Sequence, residues 1–119
     1  MAILSGLHLF LDGLSRWDLE AETLGYFLYQ CPRVIQMAVI VPGVVYKTAD
    51  GGLCGFTVIA ESHISVHCQG RQVWVDIFSC RNFDVRQAVD FAEDALALSQ
   101  LKYRVIERTS ALALNGTQA

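Results

Sequence analysis

The amino-acid sequence predicts an α+β sandwich, in which an antiparallel sheet carries two helices on one face. Three observations lead to this prediction. Several runs rich in Val, Ile, Phe and Thr are separated by turn residues, as is typical of strands. Two other segments repeat apolar residues at helical spacing. Taken along the chain, the segments follow the order β-α-β-β-β-β-α-β.

The first half of the chain predicts two strands around one helix. Leu7, Leu9 and Leu11 alternate with polar or aromatic positions, so residues 3–12 are predicted to form a strand. Residues 17–30 are predicted to form a helix that begins with a capping box of Ser15 and Asp18 and ends before Pro32. Residues 34–47 read as a strand that is interrupted at Pro42.

The second half predicts three adjoining strands, a helix and a last strand. The strands cover residues 53–61, 62–68 and 72–79, with turns at 48–52 and 69–71. Asp84 is predicted to cap the second helix, with Gln87 three residues later. A final strand at residues 103–107 precedes a frayed tail at 109–119.

The size and composition favour one domain that pairs with a second copy. A chain of 119 residues fits a single domain, 1–119. Its hydrophobic fraction of 53% and mean hydropathy of +0.35 are high for a small monomer, so we expect a partner chain to cover part of the sheet in a homodimer. A net charge of -3 argues against nucleic-acid binding, and no polybasic run favours a membrane surface.

The cysteines indicate a reducing compartment. Cys31, Cys54, Cys68 and Cys80 form no CxxC pair, and the chain start lacks the pattern of a signal peptide. Free thiols and a cytoplasmic location are therefore expected. No apolar run is long enough to span a bilayer.

A polar row lies on the strand predicted at residues 62–68. Period-2 alternation places His63, Ser65 and His67 on one face. Ser62 precedes this row, and Cys80 follows the next strand. We therefore expect a hydroxyl, two imidazoles and a thiol to gather within a small volume.

Residues 52–80 resemble the short bacterial and archaeal type of self-processing S-adenosylmethionine decarboxylases. The resemblance rests on Glu61-Ser62-His63, on His67, and on the run Asp76-Ile77-Phe78-Ser79-Cys80. It implies that family's sandwich fold, a homodimer, and a pyruvoyl-dependent decarboxylase of polyamine and spermidine biosynthesis. The pyruvoyl carbonyl would form a Schiff base with the amine of a small-molecule substrate and act as an electron sink.

The resemblance also implies a role for each site residue. Ser62 would attack the carbonyl of Glu61, splitting the chain into 1–61 (the β chain) and 62–119 (the α chain), and would become the pyruvoyl group. His67 would assist by proton transfer. Cys54 stands where the family has a serine that polarises the scissile region, and its thiol is a weaker hydrogen-bond donor. Cys80 would donate a proton to the substrate's α-carbon after CO2 leaves.

Each of these residues also has a plainer interpretation. Ser62 and His67 can be ordinary strand residues, Cys80 a small buried side chain, and His63 a structural histidine. A metal site made of histidines and cysteines is the competing interpretation, but the spacing matches no structural zinc pattern, so no metal is expected. Its ligands would be His63, His67, Cys68 and Cys80.

The substrate pocket departs from the family pattern. The turns at 48–52 and 69–71 lack the family's aromatic ring, and the second also lacks its glutamate. Trp74 is a candidate replacement ring, and Arg71 a candidate partner for a substrate carboxylate. Weak turnover of S-adenosylmethionine is therefore expected. The alternatives are a smaller amino acid such as arginine or ornithine, or an unprocessed, non-catalytic homologue that serves as a binding or regulatory subunit.

Overall fold

A computed structural model describes residues 5–109, which form six strands and two helices in the predicted order. The elements are β1 (Ser5–Ser15), α1 (Ala21–Val34), β2 (Val39–Lys47), β3 (Leu53–Ile59), β4 (Ser62–Gln69), β5 (Gln72–Ser79), α2 (Val85–Ala95) and β6 (Leu98–Thr109). The strands make one antiparallel sheet in the order β2-β3-β4-β5-β1-β6. The predicted fold class is confirmed.

Both helices pack on the same face of this sheet and form the core with it. Alternate residues of the strands point into the core, which gives β3, β4 and β5 their alternating burial. Leu28 of α1 approaches the sheet closely at Gly55, where an added Cβ would lie 2.7 Å from the Leu28 Cδ1 atom. The opposite face, which we call the open face, is covered by no helix within residues 5–109.

The start of α1 differs from the prediction. Ser15 is the last residue of β1, and its hydroxyl donates hydrogen bonds to the carbonyls of Trp17 and Arg71 rather than capping a helix. The helix begins at Ala21 after Glu20, which makes no side-chain cap. The predicted capping box of Ser15 and Asp18 is therefore wrong, because tertiary pairing extends β1 as far as Ser15.

The ends of three other elements also shift. Pro32 lies inside α1, where it is buried beside Cys31, and the helix continues to Val34. Strand β2 consequently begins at Val39 rather than at residue 34, although its irregular pairing around residues 41–44 agrees with the predicted interruption at Pro42. Strand β6 begins at Leu98 because it pairs with the whole of β1.

The second helix matches its prediction closely. Asp84 accepts a hydrogen bond from the backbone N–H of Gln87 at 3.1 Å, and Ala88, Val89 and Ala92 are buried. Within residues 5–109, neither helix has the length and apolar character needed to cross a membrane. The predicted tail lies, apart from Thr109, outside the described residues.

Candidate active site

The chemistry-bearing side chains predicted on β4 lie on the open face, in rows that run across the strands. The strand register defines three rows, about 7 Å apart because each row is two residues further along the strands. The first contains His8, Phe78, His63 and Val58; the second Phe10, Asp76, Ser65 and Phe56; the third Asp12, Trp74, His67, Cys54 and Tyr46. The alternation predicted for β4 is confirmed.

Beside the first row lies a group of atoms that we call the Ser62 end. Ala60 and Glu61 form the tight turn between β3 and β4, so the peptide bond between Glu61 and Ser62 sits where the hairpin closes. The backbone N–H of Cys80 donates a hydrogen bond to the carbonyl of Glu61 at 3.3 Å. The Oγ atom of Ser62 lies 3.9 Å from the Sγ atom of Cys80. The Glu61 carbonyl is thus polarised by an N–H group next to a hydroxyl and a thiol.

The third row forms the His67 end. The rings of His67 and Trp74 are 5.3 Å apart, and Cys54 is paired with His67 across β3 and β4. Cys54 also faces Tyr46, and a side-chain hydrogen bond between them raises the pKa of the Tyr46 phenol. The Nε2 atom of His67 is buried and, among the described residues, has no hydrogen-bond partner. This end therefore holds an imidazole and a thiol beside aromatic rings.

The two ends are far apart within one chain, which corrects the expectation of a single small cluster. Ser62 and His67 are five residues apart on one extended strand, so their Cα atoms are separated by about 16 Å. Ser62 and Cys80 do come together, and so do Cys54 and His67. One chain alone cannot bring the His67 imidazole to the Ser62 hydroxyl.

The metal-site alternative is contradicted by the same geometry. Cys68 lies on the core face and is buried, whereas His63 and His67 lie on the open face, and Cys80 is near the Ser62 end. Among residues 5–109, no three His, Cys, Asp or Glu side chains are close enough together to hold a metal ion.

His8 and Asp76 form a contact that the sequence-based interpretation missed. The Nε2 atom of His8 lies 3.2 Å from Oδ1 of Asp76, and the His8 ring stacks on Phe10 with centroids 3.9 Å apart. The polar or aromatic positions that alternate with Leu7, Leu9 and Leu11 are His8, Phe10 and Asp12. His8 comes beside Asp76 only because β1 pairs with β5, a strand that is far from β1 in the sequence.

The two turns in which the substrate was expected lie beyond the His67 end. The turn at 48–52 is held by hydrogen bonds from Thr48 and Gly52 to Asp50, which lower the pKa of the Asp50 carboxyl. Gln69 donates a further hydrogen bond to the carbonyl of Asp50 at 3.3 Å. Arg71 donates to the carbonyl of Ser15 at 2.7 Å, which weakens its case as a partner for a substrate carboxylate.

Comparison with known proteins points to one family. The sequence model of the family described as "S-adenosylmethionine decarboxylase" matches residues 18–109. An S-adenosylmethionine decarboxylase proenzyme from Clostridium botulinum strain Hall is 28% identical over 110 residues, covering 87% of this chain and 94% of the relative. The corresponding proenzyme from strain Loch Maree is 26% identical over 109 residues, with the same coverage.

A solved structure agrees with these relatives. The crystal structure of the adenosylmethionine decarboxylase from Aquifex aeolicus superposes with a TM-score of 0.72 and 25% sequence identity, covering 90% of this chain and 92% of that chain. The family match extends over most of the described residues and includes Glu61, Ser62, His67 and Cys80. The chain belongs to the S-adenosylmethionine decarboxylase family.

Proposed function

We propose that this protein is an S-adenosylmethionine decarboxylase that cleaves itself between Glu61 and Ser62 and works with a pyruvoyl group made from Ser62. Its place would be the polyamine and spermidine biosynthesis of the cytoplasm, where the four free cysteines fit a reducing environment. One observation carries the proposal: the carbonyl of Glu61 accepts a hydrogen bond from Cys80 while the Ser62 hydroxyl lies beside the Cys80 thiol.

Self-cleavage begins as an acyl transfer from nitrogen to oxygen. The Ser62 oxygen bonds to the carbonyl carbon of Glu61, the C–N bond breaks, and the hydroxyl proton passes to the freed amine. The bond between Cβ of Ser62 and the ester oxygen then breaks as the α-carbon of Ser62 loses a proton, which releases Glu61 as a carboxylate and leaves a Cα–Cβ double bond. The remaining residue takes up water and loses ammonia. The N–H of Cys80 stabilises the negative charge that develops on the Glu61 oxygen in the first step.

The surroundings of Ser62 fit a pyruvoyl group. When present, that group supplies a carbonyl that condenses with the substrate's amine and withdraws electrons from its α-carbon. Cys80 is exposed, is a free thiol, and lies beside the position of Ser62. It can therefore deliver a proton to the carbon that has lost CO2.

A second copy of the chain completes the site in this proposal. Within one chain, the His67 imidazole lies far along β4 from the Ser62 hydroxyl, and its Nε2 atom has no hydrogen-bond partner among residues 5–109. The open face also presents large apolar side chains that are between 41% and 54% exposed, as expected of an association surface. These side chains are Val44, Tyr46, Phe56 and Ile106.

The rows of the open face indicate how two copies meet. Two sheets can face each other across a twofold axis that lies between them, parallel to the second row and directly over Ser65 and Asp76. This axis brings the first row of each chain opposite the third row of the other. The Ser62 end of each chain then faces the partner's His67. Two such sites form per dimer, each with a hydroxyl and thiol from one chain and an imidazole from the other.

The proposed activity is tested by intact mass and CO2 release. Purified protein should give two fragments that divide between Glu61 and Ser62, and Ser62→Ala should remain whole. Ser65→Ala, a change on the same strand that leaves Ser62 in place, is the matched control and should still cleave. Processed enzyme should release CO2 from carboxyl-labelled S-adenosylmethionine faster than from arginine or ornithine. A wild-type chain that stays intact would instead support the unprocessed, non-catalytic alternative.

The dimer arrangement is tested by thiol cross-linking. Along the strands, Cys54 and Cys80 of one chain are about six residues apart, or about 20 Å, whereas facing sheets pack about 10 Å apart. A short bismaleimide should therefore link Cys54 to Cys80 of the partner subunit and give a covalent dimer in a denaturing gel. Burial raises the pKa of Cys31 to about 12, which keeps that thiol unreactive in the folded protein.

Single substitutions of the two cross-linked cysteines serve as matched controls. Cys54→Ser and Cys80→Ser should each remove the covalent dimer. Monofunctional maleimide labelling of both thiols without any cross-linked dimer would count against the proposed pairing of the sheets.

A further inference from the structure

His63 and His67 lie at equal distances from Ser65, two residues to either side of it on β4. All three side chains lie on the open face, and Ser65 pairs with Asp76 in the second row. In the proposed dimer the twofold axis lies over these two residues, so the His63 position of one chain faces the His67 position of the other. Because a twofold interface repeats every contact, this juxtaposition of imidazoles occurs twice in each dimer.

The two imidazoles cannot meet within one chain. Four residues of extended strand separate them, so their Cα atoms are about 14 Å apart. Two facing sheets lie only about 10 Å apart, and the side chains between them interdigitate. An imidazole that points across this gap therefore reaches the ring that points back from the other sheet. Contact between His63 and His67 is thus a property of the dimer alone.

Each imidazole retains hydrogen-bonding capacity in the described part of its own chain. His63 is exposed, and the side chains beside it on the adjoining strands, Phe78 and Val58, are apolar. The ring centroids of His63 and Phe78 are 6.2 Å apart. His67 is half-buried, with the Trp74 ring 5.3 Å away, and its Nε2 atom has no hydrogen-bond partner among residues 5–109. A polar nitrogen left unpaired in an interface is costly, so each ring favours a polar neighbour on the facing sheet.

We propose that His63 is a positioning residue, whose imidazole forms a hydrogen bond with the ring of His67 of the partner subunit. The inference rests on the proposed function, because it uses the same dimer and the same processing base. A neutral imidazole donates through one ring nitrogen and accepts through the other, and the bond made by one nitrogen determines which of the two carries the proton. When the partner's His67 is the donor, its other nitrogen keeps a lone pair that can accept the proton of the Ser62 hydroxyl. His63 thereby fixes both the orientation and the tautomer of the base.

Nuclear magnetic resonance of the uncut protein tests the contact directly. The chain has three histidines, so single substitutions assign their ring signals. In the Ser62→Ala dimer, a nuclear Overhauser effect should join ring protons of His63 and His67, which are too far apart within one chain to give this signal. The stacked rings of His8 and Phe10, with centroids 3.9 Å apart, supply the positive control in the same spectrum. A spectrum with the control signal but without the signal between His63 and His67 overturns the proposal, as does a Ser62→Ala chain that remains monomeric.

Self-cleavage in mixed dimers tests the positioning role. One chain carries His67→Ala and keeps Ser62, and its differently tagged partner carries Ser62→Ala and keeps His67, so one complete site remains. His63→Leu in the chain that keeps Ser62 should slow cleavage roughly 5- to 150-fold, since a nitrogen left without its partner costs about that factor. The same substitution in the other chain is the matched control and should leave the rate unchanged, because that His63 faces the substituted His67 position. His63→Gln, whose amide also donates and accepts hydrogen bonds, should stay within a few fold of the unsubstituted rate in either chain.

The outcomes distinguish the two proposals. The Overhauser signal together with slowing confined to the chain that keeps Ser62 supports both. Cleavage that slows equally whichever chain carries His63→Leu overturns the positioning role and leaves self-cleavage standing. The Overhauser signal in a protein whose wild-type chain never cleaves supports the contact between the rings and overturns the proposed function. If chains with His63→Leu do not fold, the spectrum of the Ser62→Ala dimer is sufficient to support or overturn the contact.

Discussion

The Ser62 end and the His67 end share strand β4 but are built in opposite ways. At the Ser62 end, a hairpin turn exposes Glu61 and Cys80 and holds them by backbone hydrogen bonding. At the His67 end, the imidazole is half-buried between Trp74 and the neighbouring strand, and its Nε2 atom lacks a partner. One end has a nucleophile and a polarised carbonyl. The other has the His67 imidazole, with an unpartnered nitrogen but no scissile carbonyl. In the proposed dimer, each chain therefore supplies one half of two different sites.

Mixed dimers provide the largest effect that this comparison predicts. His67→Ala should stay uncut by itself, because neither site of its homodimer contains the imidazole. When it is co-expressed with a differently tagged Ser62→Ala chain, one site of each mixed dimer joins Ser62 to the partner's His67. The His67→Ala chain should then be cleaved in mixed dimers, as measured by intact mass.

A double variant supplies the control for this experiment. Co-expression of His67→Ala with Ser62→Ala/His67→Ala gives mixed dimers that lack His67 at both sites, so no cleavage is expected. If His67→Ala cleaves alone at the wild-type rate, then His67 is not the base. If the mixed dimers form but remain uncut, the half-sites are not shared between chains.

The next largest effect separates two steps at the Ser62 end. Cys80→Ala keeps the backbone N–H that donates to Glu61 but loses the thiol, so processing should continue. Turnover should fall about 10²- to 10⁴-fold, as is usual when a general acid is removed. Intact mass reports processing, and CO2 release from the cleaved fraction reports turnover. Cys68→Ala, on the core face of β4, should retain turnover in its folded fraction; full activity of Cys80→Ala would make Cys80 structural.

The sequence was sufficient for the arrangement of side chains on β4 but not for their partners. Alternation correctly placed His63, Ser65 and His67 on one face, and the spacing of five residues already implied that Ser62 and His67 are far apart. The contact of His8 with Asp76 depends on the register between β1 and β5, which local patterns do not specify.

The predicted positions of the helix and strand ends were wrong for one physical reason. Ser15 has the local character of a helix cap, but its pairing with Leu98 keeps it in β1. Pro32 is a helix breaker by propensity, yet burial of Pro32 and Cys31 in the core carries α1 past it. Tertiary packing determines where both elements end, and contacts between residues distant in sequence cannot be inferred from a short window of neighbouring residues.

The smallest predicted effect concerns Cys54, the thiol at the His67 end. A hydroxyl is a stronger hydrogen-bond donor than a thiol. In the proposed dimer, this position would face the Glu61 carbonyl of the partner subunit. Cys54→Ser should therefore speed self-cleavage, by a hydrogen bond worth about 0.5–1.5 kcal/mol, or roughly 2- to 13-fold in rate. The measurement is the half-time for loss of full-length protein after rapid purification. Cys68→Ser is the matched control: its thiol is buried on the other face, where burial raises its pKa, and the change should lower stability without speeding cleavage. An unchanged or slower rate in Cys54→Ser would mean that the residue at this position does not reach the partner's carbonyl, and that His67 acts across the interface alone.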